Sequence, residues 1–124
     1  MHYLLLVYTD PVWMAALPQA EYDRLMHGCI SHADALREAG YLLGSQQLEA
    51  PEQARTVRLR DGAARVTDGP FAETKEVLAG FNLIEADSIE AAVRIAHDWP
   101  WIRFGSIEVR PVRDFDAVRR RVGA

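Results

Sequence analysis

Tyr3-Leu4-Leu5-Leu6-Val7-Tyr8 is an unbroken apolar run closed by Thr9-Asp10-Pro11. A half-exposed strand alternates polar and apolar side chains, so a short run without alternation reads as a strand buried on both faces. Such a strand belongs in the middle of a sheet. The run is too short to span a bilayer, has no basic segment ahead of it and meets turn residues at once. The chain is therefore read as cytoplasmic, with no membrane contact.

On the C-terminal side of this run the pattern changes period. After a loop carrying Trp13, residues 20–39 set Tyr22, Leu25, Met26, Cys29, Ile30, Ala33 and Leu36 on one stripe at helical spacing, and Gly40 ends the helix. Residues 41–44 make a second, short strand. Residues 56–60 and 63–67 alternate on either side of Asp61-Gly62, which is a hairpin signature. Residues 80–85 form the next strand. Asp87 or Ser88 then caps a second helix bearing Ile89, Ala92, Val93 and Ala96, with Glu90 placed as in a capping box and Pro100 forcing the stop. Residues 106–112 alternate, with Pro111 suited to a sheet edge, and residues 116–122 add a last helical turn.

With the hairpin set aside as an insertion, the order is strand, helix, strand, strand, helix, strand. That is the α+β, ferredoxin-like βαββαβ order, with the first and third strands central. Both helices cover one face of such a sheet. The other face carries apolar residues from the first strand, and a sheet-to-sheet homodimer is the economical cover, because one patch buries its own copy under two-fold symmetry. At 124 residues the chain is expected to form one domain over 1–124, with a core at about 1–112 and a tail at 113–124.

Composition removes several function classes. Fourteen basic against eighteen acidic residues give a formal charge of −4, so no general field draws nucleic acid or an anionic membrane. The Arg119-Arg120-Arg121 run reads as a solvated tail. A single cysteine, Cys29, excludes an internal disulfide and a cysteine-rich zinc site; inside the helical stripe it reads as a small core residue. His2, His27 and His97 are scattered, and no Gly-rich phosphate loop follows a strand. No metal or organic cofactor is expected.

Chemistry concentrates in Thr67-Asp68-Gly69-Pro70-Phe71-Ala72-Glu73-Thr74-Lys75-Glu76, which sets carboxylates and an ammonium around a rigid turn. Gly69 tolerates unusual backbone angles and Pro70 locks its own φ, so Asp68 is held at a bend. In the first helix His27 points away from the apolar stripe, while His32 lies on its border and can face a pocket edge. Each has a plainer reading as well: Asp68 forms an Asx turn within a solvated charge cluster, and His32 is a partly buried histidine bonded to backbone.

This ten-residue motif, followed by Gly80-Phe81 with Leu83-Ile84-Glu85 and by Gly105-Ser106-Ile107-Glu108-Val109-Arg110-Pro111-Val112, resembles the YCII-related family. The Asp68-Gly69-Pro70-Phe71 tetrad is the mark of its DGPF branch. The resemblance implies a ferredoxin-like fold paired into a dimeric α+β barrel, a histidine and an aspartate meeting in a cleft, and, for some members, association with an extracytoplasmic-function sigma factor. Carried onto this chain, the aspartate falls on Asp68. The family histidine falls where this chain has Cys29, and His32 stands one turn later, about 5 Å along the axis. Trp99 and Trp101 flank Pro100 where relatives often carry smaller residues, so a nearby pocket is narrower or more aromatic here.

Two functions follow. One is a metal-free small-molecule enzyme in which Asp68 orients His32 as general base, with Glu73, Lys75 and Arg103 as substrate-binding residues and Lys75 or Arg103 holding an anionic or carbonyl-bearing group. The other is a non-catalytic ligand-binding or regulatory module serving a sigma factor. A purely structural role for the motif is the plainest alternative.

Overall fold

The computed structural model describes all 124 residues. β1 (His2–Thr9) pairs on both edges, antiparallel to β5 (Val77–Glu85) and to β6 (Gly105–Pro111), and β2 (Leu42–Gln47) pairs with β5. The resulting order is β2-β5-β1-β6. This is the ferredoxin-like α+β arrangement that the element order implied, with the first and third of its four strands central.

α2 (Gln19–Glu38) and α3 (Ile89–His97) cover one face. Along β1 the residues Tyr3, Leu5, Val7 and Thr9 are buried and the intervening Leu4, Leu6 and Tyr8 only half so. The strand expected to be buried on both faces is thus covered on one face by this chain. Its run is apolar on both faces, while the helices stack on only one side. The core gathers Tyr3, Leu5, Leu42, Ile84, Ala92, Ala96 and Trp99, with Ala33 and Leu36 packed on it from α2 and Ile107 and Val109 from β6.

Several elements depart from their expected bounds. The loop around Trp13 contains a short helix, α1 (Pro11–Ala16), because Asp10 Oδ1 accepts from Val12 N at 2.9 Å and Pro11 supplies a first-turn residue with no N–H to satisfy. β2 runs on to Gln47, and β5 starts at Val77. The central loop therefore shrinks to residues 69–76. The cap of α3 is Ser88, whose Oγ accepts from Ala91 N at 3.1 Å. The tail forms α4 (Phe115–Val122), capped by Asp114.

The inserted segment is a separate two-stranded sheet, β3 (Arg55–Arg60) with β4 (Ala63–Asp68). Its turn has φ of 52° at Asp61 and 78° at Gly62, the left-handed pair that joins twisted strands. Its base is tied to the central loop, since Gly69 N donates to Ala54 O at 2.8 Å and Thr56 Oγ1 to Gly69 O at 2.9 Å. At the opposite end of the sheet the Met1 ammonium and His2 both meet Glu85, and the ammonium holds that carboxyl below its usual range. No helix is long and apolar enough to cross a membrane.

The β1–β6 pairing depends on Gly105. A Cβ there would lie 1.9 Å from Tyr8 O and 2.8 Å from Thr9 Cα, both backbone atoms of a central strand that cannot swing aside. Gly28, in the middle of α2, has open space around it. Gly105→Ala is expected to destabilise by about 1–3 kcal/mol, the usual cost of forced overpacking. Gly28→Ala should instead stabilise by about 1 kcal/mol through helix propensity. Urea unfolding followed by circular dichroism checks both signs.

Candidate functional site

The core closes around Leu5 and Ile84. Toward the Thr9 end of β1 the helix-facing positions become small or polar: Thr9 on β1, Gly80 and Asn82 on β5, Ser45 on β2. The facing positions on α2 are Cys29 and Ala33, which are too small to fill the space opposite. A cleft of about 210 Å³ is left between helix and sheet. Met14, Met26 and Ile30 form its outer wall, and Trp99 and Trp101 close one side.

Packing holds that aromatic side in place. Tyr22 sits 6.2 Å from Trp101, Phe104 sits 5.9 Å from it, and the His32 ring meets Trp99 edge-on at 5.1 Å. The polar groups of the cleft are equally fixed. Asn82 is 5% exposed, and Ser45 Oγ–H donates to its Oδ1 at 2.6 Å. None of the lining side chains is an Asp, Glu, Lys, Arg or His. Cys29 is the one thiol among them, and burial pushes it up to about 11, so it stays protonated near neutrality.

The residues singled out in the sequence lie elsewhere. Asp68 ends β4 with its side chain 89% exposed, and its Oδ1 takes Arg55 Nε at 3.1 Å. His32 belongs to the helix layer behind Trp99, where its Nε2 is enclosed without a hydrogen-bond partner. No hydrogen bond or ion pair joins the two. Glu73 and Lys75 are exposed on the 69–76 loop, whose Thr74 hydroxyl meets the Glu76 carbonyl while Glu76 Oε1 accepts from Ser106 at 2.7 Å. Arg103 lines a second groove, with Glu21 and Arg24. No group of three or more His, Cys, Asp or Glu side chains converges as a metal site.

Sequence reasoning passed over Asn82, Ser45 and Thr9. The available signal was alternation: within Gly80-Phe81-Asn82-Leu83-Ile84 the amide shares the inward face with Ile84, an unusual position for a polar side chain unless it has a task.

Comparison with known proteins bears on the whole chain. A profile of the YCII-related domain matches residues 1–116. The chain belongs to the YCII-related family. It is similar to an uncharacterised protein of Rhizobium meliloti (strain 1021), with 38% identity over 114 residues that span 90% of this chain and 92% of that one. Among solved structures it is similar to 5-chloro-2-hydroxyhydroquinone dehydrochlorinase from Burkholderia phenoliruptrix AC1100, in complex with 2,5-dihydroxybenzoquinone. That likeness has 13% identity and a TM-score of 0.49, and it covers 91% of this chain and 94% of the other. Cys29, read from the sequence as a small core residue, lines the cleft.

The state of that thiol gives a pH-dependent prediction. The folded thiol, near 11, keeps its proton after the unfolded one, near 9, has lost its own. The contribution of this thiol to stability is therefore whole below pH 9 and is lost as pH rises from 9 toward 11. Iodoacetamide labelling of the native protein should be slow at pH 8, speed up tenfold per pH unit toward 11, and at pH 8 be much faster in urea. Mass spectrometry reads all three rates.

Proposed function

We propose that this YCII-related protein is a cytoplasmic, single-domain homodimer of the DGPF branch that binds a small molecule in the cleft between α2 and the β1–β5 pair. The observation that carries this reading is the cleft itself. Unfilled apolar volume inside a domain costs stability, by about 24 cal/mol for each Å³ of cavity in engineered cores. A volume lined by side chains and faced by buried polar groups is the usual form of a ligand site.

The open sheet face supports the homodimer. Register places Leu4 opposite Leu83 and Leu6 opposite Phe81, all half-buried on the side away from α2 and α3. The ion-paired Glu108 and Arg110 stand next to them on β6. An apolar centre bordered by charge is the usual anatomy of an interface.

The enzymatic reading is second. It takes Asp68 and His32 as the acid-base pair, with Glu73, Lys75 and Arg103 around the substrate. Within one protomer Arg55 engages Asp68 and Trp99 backs His32, so this reading depends on assembly to bring the motif loop of one copy to the helix layer that holds His32 in another. What favours it is the unfinished packing of that loop, where Phe71 is 79% exposed. A regulatory form, with a sigma factor as partner, rests on the family resemblance alone.

Two measurements test these readings. Leu6→Asp should convert a dimer into a folded monomer in light scattering after size exclusion; a wild-type monomer would remove the assembly. A small-fragment screen by ¹⁵N-correlated NMR should find compounds that shift the Trp99 and Trp101 indoles. Ile30→Trp, at a position 56% exposed on the cleft rim, should abolish those shifts without unfolding the chain. Hits that all map to residues 68–76 would move the site to the motif loop.

A further inference from the structure

The cleft's lining specifies more than a location. Its first constraint is size. An apolar cavity of about 150 Å³ takes up benzene, so 210 Å³ matches a single ring with one small substituent. The second constraint is surface. Trp99 and Trp101 offer aromatic contact, and the thioethers of Met14 and Met26 are polarisable partners for a ring.

The third constraint is charge. A carboxylate entering the cleft would lose its hydration and meet no cation, since no Lys, Arg or His lines it. The anion-holding role expected of Lys75 or Arg103 has no place here: Lys75 is exposed on the motif loop, and Arg103 belongs to the other groove. An ammonium fares no better, because no carboxylate lines the cleft.

The fourth constraint is hydrogen-bond polarity, and it is the most specific. Ser45 Oγ–H donates to Asn82 Oδ1, which fixes the amide so that Nδ2 is the end left over. No hydrogen bond in the structure uses Nδ2, yet it is not among the fully enclosed polar atoms. It therefore opens onto unfilled space in a residue otherwise buried, and the space that Asn82 lines is the cleft. The Thr9 hydroxyl stands in the same condition, in a residue 6% exposed and without a side-chain hydrogen bond. A buried amide donor is satisfied by a ligand that brings an acceptor, and a carbonyl oxygen brings one without a hydrogen of its own to place.

Resting on the cleft being the ligand site, we infer that it selects an uncharged one-ring carbonyl compound whose oxygen accepts from Asn82 Nδ2. Three probes of matched shape separate the constraints: acetophenone, isopropylbenzene and benzoate. Isopropylbenzene replaces the carbonyl oxygen with a methyl group, and benzoate replaces the methyl ketone with a charge.

Titrations of the full chain followed by ¹⁵N-correlated NMR should show acetophenone shifting the Asn82 side-chain amide and the Trp99 and Trp101 indoles. Its affinity should exceed that of isopropylbenzene at least fivefold, the worth of about one neutral hydrogen bond, and benzoate should bind more weakly than either. In Asn82→Leu, which keeps the branching of the side chain and removes its polar atoms, the gap between acetophenone and isopropylbenzene should close. Ser45→Ala, which frees the amide to rotate, should narrow the gap and serves if the first variant does not fold.

Benzoate binding as tightly as acetophenone, on the same indole signals, would overturn the substrate class and leave the cleft standing as the site. Equal affinity for acetophenone and isopropylbenzene in the wild-type protein, or a gap that persists in the variants, would overturn the role of Asn82. No probe moving the two indoles at millimolar concentration, or shifts confined to residues 68–76, would overturn the cleft and this inference together.

Discussion

Everything in this structure takes its orientation from the pairing of β1 on both edges. Once β5 and β6 are hydrogen-bonded to it in register, each β1 side chain fixes the face of the residue beside it, because a slip of one position would exchange the two faces of a strand. Leu5 turned toward α2 puts Asn82 and Val109 on that side as well. Leu6 turned away takes Phe81 and Glu108 with it. The division into a helix-covered core and an open face is thus a property of one strand imposed on its neighbours.

The same constraint explains where the cleft lies. Large side chains at Leu5 and Ile84 fill the middle of the helix-facing surface, and the positions beyond them are Thr9, Gly80 and Ser45. The helix cannot bend inward to close the gap, since Trp99 and Trp101 stand beside it, braced by His32, Tyr22 and Phe104. A rigid wall and short side chains together leave a volume with fixed polar groups. Preorganised polarity of this kind orients a ligand without first having to order the site.

The fold was legible in the sequence because periodicity carries it. The apolar run at Tyr3, the helical stripe through Cys29 and the Asp61-Gly62 turn each state a local geometry, and their order admits few topologies. The site was less so. Motif chemistry drew attention to Asp68 and Lys75, which are conspicuous as charges, whereas the cleft is built from neutral groups that only alternation along β5 brings to one face. Whether two side chains meet depends on distances across layers, which a single chain of letters does not encode. His32 shows the difficulty: one turn beyond Cys29 on the same helix, it falls behind Trp99 and outside the lining.

The inserted hairpin has one last consequence. Each of its strands has one edge free of pairing, and Val57, Leu59 and Val66 are all about two-thirds exposed on it. A ribbon of that kind invites foreign strands to add to it. Arg55, Arg58, Arg60 and Arg65 are distributed along both of its strands, and the Arg58 guanidinium lies 5.5 Å over the Phe71 ring. Like-charged side chains repeated along the β3 margin repel a second copy arriving there edge to edge, so the ribbon carries its own guard against fibrous growth on that side.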